Sequence, residues 1–174
     1  MKCPACGTEL TEMKAGDITV QACKGGCGGL WFEANEIGKV DLPSESAGAA
    51  LIDIERDPSI TVDVSKRRNC PKCDMIMMQH FFDVKRKVTV DECPECAGMW
   101  LDAGELKTIR SEYPTEEARK EAAGKYFDAM FGEKLAEMHA KDEASAQRAE
   151  KIAHMFRFIC PSYYLPGKQK WGAF

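Results

Sequence analysis

The chain has no run of about 18 or more apolar residues, so no membrane-spanning helix is expected. Its opening Met1-Lys2-Cys3-Pro4 has none of the apolar stretch of a signal peptide, which makes the cytoplasm the expected compartment. A basic surplus is missing as well. Lys plus Arg number 24 against 28 Asp plus Glu, a formal charge of -4, and a general nucleic-acid coat would carry the opposite balance. Only three histidines occur, no nucleophile is paired with a base, and no phosphate-binding loop is present, so the chain is expected not to be an enzyme.

Cysteine is what the chain has in quantity: nine in 174 residues. In a reducing compartment close cysteine pairs hold metal more often than they form disulfides, and an odd count argues the same way. Eight of the nine make four close pairs: Cys3 with Cys6, Cys23 with Cys27, Cys70 with Cys73, and Cys93 with Cys96. The pattern is an internal repeat. Gly29-Leu30-Trp31-Phe32-Glu33-Ala34-Asn35-Glu36-Ile37 realigns with Gly98-Met99-Trp100-Leu101-Asp102-Ala103-Gly104-Glu105-Leu106, with Trp, Ala and Glu at identical places.

Two residues between cysteines let both sulfurs converge from one tight turn, and two such knuckles complete a closed tetrahedral shell of four thiolates. The expected fold class is therefore a small metal-stabilised α+β: two tandem metal-held modules, each a β-hairpin plus a short helix, and then a C-terminal helical region; the resemblance named below makes the modules zinc ribbons. Two Zn2+ ions are expected, held by Cys3, Cys6, Cys23 and Cys27 and by Cys70, Cys73, Cys93 and Cys96. Iron is the alternative metal, since spacing does not separate the two. Hairpins this small are marginal alone, so the metal must supply folding free energy. Eight thiolates and two divalent ions move the formal charge from -4 to about -8.

Local signals fill in the modules. A turn at Gly16-Asp17 precedes alternating Ile18, Val20 and Ala22; in the second copy Phe81 to Val84 and Val88 to Val90 read as strands around a Lys85-Arg86-Lys87 tip. Asp102 and Glu105 have capping-box spacing, and Leu106 and Ile109 share one helical face. Gly7 and Gly28 suit positive φ after a knuckle; Asp74 and Ala97 replace them in the second copy, where a different knuckle geometry is expected. Trp31 and Trp100 are expected to pack over their hairpins.

The division expected is residues 1–40 and 70–112 as ribbons, 41–69 as a linker with a strand-like Ile60, Val62, Val64 segment, and 113–159 as a helical arm, either one helix or two with the break near 132. An aromatic and basic tail, 160–174, completes it. The arm's apolar stripe fits a dimerisation seam, a partner-binding face or intramolecular packing. Seven basic residues lie between Lys66 and Val90, opposed only by Asp74 and Asp83; with Trp171 in the tail, Lys85, Arg86 and Lys87 are candidate partner contacts. Cys160 has no pair and reads as a small buried hydrophobe, while His80, His139 and His154 are not expected to be ligands.

The motif Cys-Pro-x-Cys, a hairpin, then Cys-x-x-Cys-x-Gly-x-Trp-Leu-Asp-Ala-Gly-Glu-Leu resembles the zinc ribbon of the transcription factor IIB type, found in small and mostly uncharacterised prokaryotic proteins. The resemblance covers residues 3–40 and 70–110, with departures at Phe32, Glu33 and Asn35 in the first copy, and implies that the eight paired cysteines are zinc ligands. The functional expectation is a non-catalytic zinc-binding adaptor that contacts a protein partner through its ribbons and arm, with self-association through the arm open. A rubredoxin-like iron electron carrier is the alternative, and a nucleic-acid-binding ribbon using the basic hairpin the third reading.

Overall fold

The computed structural model describes residues 1–155. The described residues fall into two units, Met1–Gly124 and the stretch from Lys125 onward. The first holds β1 (Thr11–Ala15), β2 (Ile18–Ala22), β3 (Leu30–Phe32), β4 (Met78–Phe81), β5 (Thr89–Glu92), β6 (Met99–Leu101) and α1 (Glu105–Glu112), and α2 (Glu116–Met155) begins there. Antiparallel pairing joins the strands into a single sheet in the order β1-β2-β3-β6-β5-β4.

That order places the repeat on a pseudo-two-fold axis. Each ribbon contributes a hairpin and a third strand from its Gly-x-Trp tail, and β3 pairs β6 with Trp31 opposite Trp100. The seam is tight because glycine lines it. A Cβ added at Gly98 would lie 2.2 Å from Trp31 Cζ2, and one at Gly29 2.2 Å from Trp100 Cζ2. Each tryptophan thus packs on the other ribbon's glycine rather than over its own hairpin, which corrects the expectation from sequence. Gly98→Ala is expected to destabilise the sheet by about 2–3 kcal/mol through overpacking, and urea titration measures it. Pairing it with Trp31→Phe should recover part of that loss, since the Trp31 indole N–H has no partner among the described residues to lose.

Two apolar clusters fill the unit. Ile18, Val20, Leu30, Phe32, Val40, Leu51, Val90, Leu101, Leu106 and Ile109 form one. The other joins Trp31, Trp100 and Met77 to cysteines of both knuckle sets. The linker belongs to this core: Leu51, in the 3-10 helix Ser46–Leu51, is fully buried, and Arg110 of α1 donates to the carbonyls of Val40, Pro43 and Glu45. The strand expected over Ile60 to Val64 does not form. Ile60 and Val62 do turn inward, onto the cysteine and tryptophan cluster, but no strand lies alongside to pair with them.

The second ribbon's hairpin is shifted toward its knuckles. Its strands end at Phe81 and resume at Thr89, and the residues between them form a wide turn in which Asp83 accepts the Lys85 and Arg86 amides. In the first ribbon the closing helix is one 3-10 turn, Ile37–Lys39. Thr115 starts α2 as expected, its hydroxyl accepting the Ala118 N–H. Gly132 does not break the helix, which runs unbroken from Glu116 to Met155. A glycine in a helix interior costs only about 1 kcal/mol relative to alanine. The tail at 160–174, with Cys160 and Trp171, lies outside the described residues.

Candidate metal centres

Each knuckle closes on itself before any ion is considered. The amide of the residue after the second cysteine returns to the carbonyl of the first: Gly7 to Cys3 at 2.9 Å, Gly28 to Cys23 at 3.1 Å, Asp74 to Cys70 at 2.9 Å and Ala97 to Cys93 at 2.9 Å. That bond needs a left-handed residue, and all four adopt one, with φ of 81° at both glycines, 62° at Asp74 and 52° at Ala97. The second ribbon therefore keeps the first one's geometry, contrary to expectation, and accepts about 1 kcal/mol of strain at Ala97 to do so. The extra residue between Cys23 and Cys27 has a use. Gly25 donates to Glu55, Asp57 donates to Gly26, and the linker is held alongside the first centre.

The four sulfurs of Cys3, Cys6, Cys23 and Cys27 lie within 4.8 Å of one another, and so do those of Cys70, Cys73, Cys93 and Cys96. The closest pairs are Cys3 to Cys27 at 3.5 Å, Cys6 to Cys23 at 3.4 Å, Cys70 to Cys96 at 3.6 Å and Cys73 to Cys93 at 3.3 Å. Zinc–sulfur bonds of about 2.3 Å at tetrahedral angles require sulfurs about 3.8 Å apart, so both cages fit the ion. Backbone amides of Ala5 and Cys6 point at the Cys3 sulfur, Cys27 N–H at Cys23, and Lys72 N–H at Cys70, as contacts that stabilise thiolates.

Sulfurs this crowded cannot all ionise without a cation. A hydrogen bond from the Cys27 thiol draws Cys3 down to about 5, while that bond and burial push Cys27 up; burial and the Cys6 contact raise Cys23 to about 11. In the second cage burial opposes ionisation of Cys93, but amides of Cys96 and Glu95 bring it down to about 7. A divalent ion held by the four sulfurs would displace the remaining protons and neutralise half of the thiolate charge. With four thiolates in each shell, the ion is left no open position.

A polar clasp that the sequence does not announce fixes the second ribbon. Arg68, 4% exposed, donates to Asp91 at 3.0 Å and to Asp102 at 2.8 Å. Asp102 also accepts the Trp100 indole N–H at 3.1 Å. The capping box is thus half used: Glu105 reaches back to the Asp102 amide at 2.7 Å, as Glu36 does to that of Glu33, while the Asp102 side chain serves the clasp. Burial pushes Glu105 up to about 7, against the Asp102 amide that draws it down.

The basic run is largely engaged. Arg68 is buried, Lys72 pairs with Glu33, Lys85 bonds the Glu112 carbonyl and lies 3.8 Å from the Tyr113 ring centre, and Arg86 sits 5.7 Å from that of Phe81. Lys87 is exposed. His80 bonds Glu92 at 2.7 Å and His139 is exposed on α2; neither joins a cage.

Residues 2–40 and 69–112 match the transcription factor zinc-finger family, a zinc ribbon of the transcription factor IIB type. DNA topoisomerase 1 of Pasteurella multocida (strain Pm70) is 26% identical over 121 residues, 69% of this chain, and the chain spans 13% of that relative's length. No solved structure matches the chain. With two four-cysteine cages set in a duplicated hairpin sheet, the chain is a tandem zinc-ribbon protein whose two ribbons are each similar to the transcription factor zinc-finger family.

Proposed function

We propose that the protein is a non-catalytic zinc-binding adaptor whose partner is another protein. Closed cages make the metal structural, since neither ion has a position for substrate or water. The observation that carries the reading is an apolar stripe of α2 that nothing among the described residues covers: Phe127, Phe131, Leu135 and Met138 follow at steps of four, four and three with Met130 beside them, all but the half-buried Leu135 about half exposed, and the two phenylalanine rings are 5.0 Å apart. A stripe of this kind is worth its aggregation risk when a partner covers it. Phe127→Glu combined with Phe131→Glu is expected to leave zinc content and helicity intact and to remove the proteins captured by the tagged chain at native expression level. Capture unchanged by the pair would overturn the reading; a concentration-dependent dimer lost in the variant would make the partner a second copy.

Nucleic-acid association is the second reading, supported by the similarity to a DNA topoisomerase. Its signature is retention on single- or double-stranded DNA at about 0.15 M salt that disappears when Lys85, Arg86 and Lys87 are neutralised. The acidic balance of the chain weighs against it.

A further inference from the structure

The two edges of the sheet are not treated alike. β1 carries Glu12 and Lys14, charges of the kind that blunt an edge, and the linker's Ala47 lies against Gly16 at its end. β4, Met-Gln-His-Phe, has neither lysine nor proline, and all four of its residues are exposed. Met78 is 61% exposed and Phe81 50%, and the apolar surface continues through Met75, Ile76 and Val64.

The register shows which backbone groups are free. Phe82 donates to Val88, and Cys93 to Gly98 on the other side of β5. Hydrogen-bonded pairs alternate along an antiparallel ladder, so His80 with Val90 and Met78 with Glu92 exchange bonds, whereas Gln79 with Asp91 and Phe81 with Thr89 do not. The N–H groups of Gln79 and Phe81 therefore face away from β5. The neighbouring outward amide, Met77, is taken by Arg68; among the described residues nothing accepts the other two.

Charge around this edge favours one kind of occupant. Of the nearby acids, Glu92 has His80, while Asp74, Asp63 and Asp83 accept from the neutral donors Asn69, Ser65 and the Lys85 amide and keep their charge; Asp63 lies beside Lys66 and is outnumbered there by Lys66 and Arg67. Lys66, Arg67 and Lys87 are exposed and form no salt bridge among the described residues.

We propose that the free edge of β4 docks an extended acidic protein segment, which pairs with Gln79 and Phe81, sets apolar side chains on Met78 and Phe81, and places carboxylates near Lys66 and Arg67. This rests on the adaptor reading and names the chemistry of one partner segment. Strand addition supplies affinity through main-chain bonds, and alternate side chains supply selectivity. The probe is a fluorescein-labelled ten-residue peptide of alternating glutamate and valine, titrated into the full zinc-loaded chain. Saturable binding is expected, with hydrogen exchange at the Gln79 and Phe81 amides slowed on binding.

Gln79→Pro removes one outward donor and leaves the β5 ladder bonds in place, so zinc content and circular dichroism should hold while affinity falls at least tenfold. Lys66→Glu with Arg67→Glu, a surface change, should weaken the peptide at least fivefold and strengthen a lysine–valine counterpart. Failure of the wild-type chain to bind, or equal affinity in Gln79→Pro, would overturn the proposal. Preference for a thymidine oligonucleotide at the same edge would assign β4 to nucleic acid and overturn it too. The adaptor reading stands or falls separately, on capture through the α2 stripe.

Discussion

Replacing Arg68 with methionine is expected to cost about 3–5 kcal/mol, the range for removing one partner of a buried ion pair. Asp91 is 4% exposed, and burial already holds its carboxyl above the usual range, with Arg68 pulling the other way. Without the guanidinium that carboxyl is buried and uncompensated, and Asp102 loses the bond that orients it toward the Trp100 indole. The damage therefore reaches the seam between the ribbons.

The penalty carries a pH signature. A carboxyl whose folded value is raised binds its proton more tightly in the native state, so stability declines as pH rises from the unfolded value through the folded one. Arg68→Met should extend that decline to higher pH, and the variant should recover part of its loss at pH 5 relative to pH 8. Adding Asp91→Leu should restore most of the stability and flatten the profile. If Arg68→Met matches the parent chain at pH 8 in urea titration, the clasp contributes little.

Arg68 also shows where sequence reading stops. It sits in Lys66-Arg67-Arg68, and a basic triplet reads as a solvated linker end; only its position beside β5 and the Asp102 turn makes it an interior residue. The eight ligands were legible because knuckle geometry confines cysteines to short spacings, and α1 was legible from Leu106 and Ile109. The seam was not. Leu30-Trp31-Phe32 and Met99-Trp100-Leu101 are too short to show alternation, and Gly29 and Gly98 look like knuckle residues until each is found under the other ribbon's indole. Ile60 to Val64 gives the converse error: Ile60 and Val62 turn inward without a strand to pair, and Val64, at the same parity, is exposed. The Gly-x-Trp motif is thus explained by contact between copies, which a reading of one module at a time does not contain.

Removing zinc is expected to unfold the sheet unit outright. Structural zinc supplies about 10–16 kcal/mol in small thiolate sites, more than the whole stability of an ordinary domain. The two ions should not leave independently, because Cys3, Cys23, Cys27, Cys70 and Cys93 share one cluster with Trp31 and Trp100. The second cage is the more open: Cys73 and Cys96 are both half-buried, whereas in the first only Cys6 is, and Ile60, Val62 and the Glu55–Asp57 segment pack alongside that first cage. A chelator should therefore take the ion of Cys70, Cys73, Cys93 and Cys96 first and at once loosen the seam that holds the other. Cys96→Ser should bind a single zinc and lose it at lower chelator concentration than the parent chain loses its slower ion, with the near-ultraviolet signal of the two tryptophans falling in step. Zinc analysis of the purified chain should give two ions and a colourless solution. A red protein with thiolate-to-iron absorption would replace zinc by iron, and a Cys96→Ser chain whose remaining zinc is held as firmly as before would mean that the cages, though built into one sheet, are energetically separate.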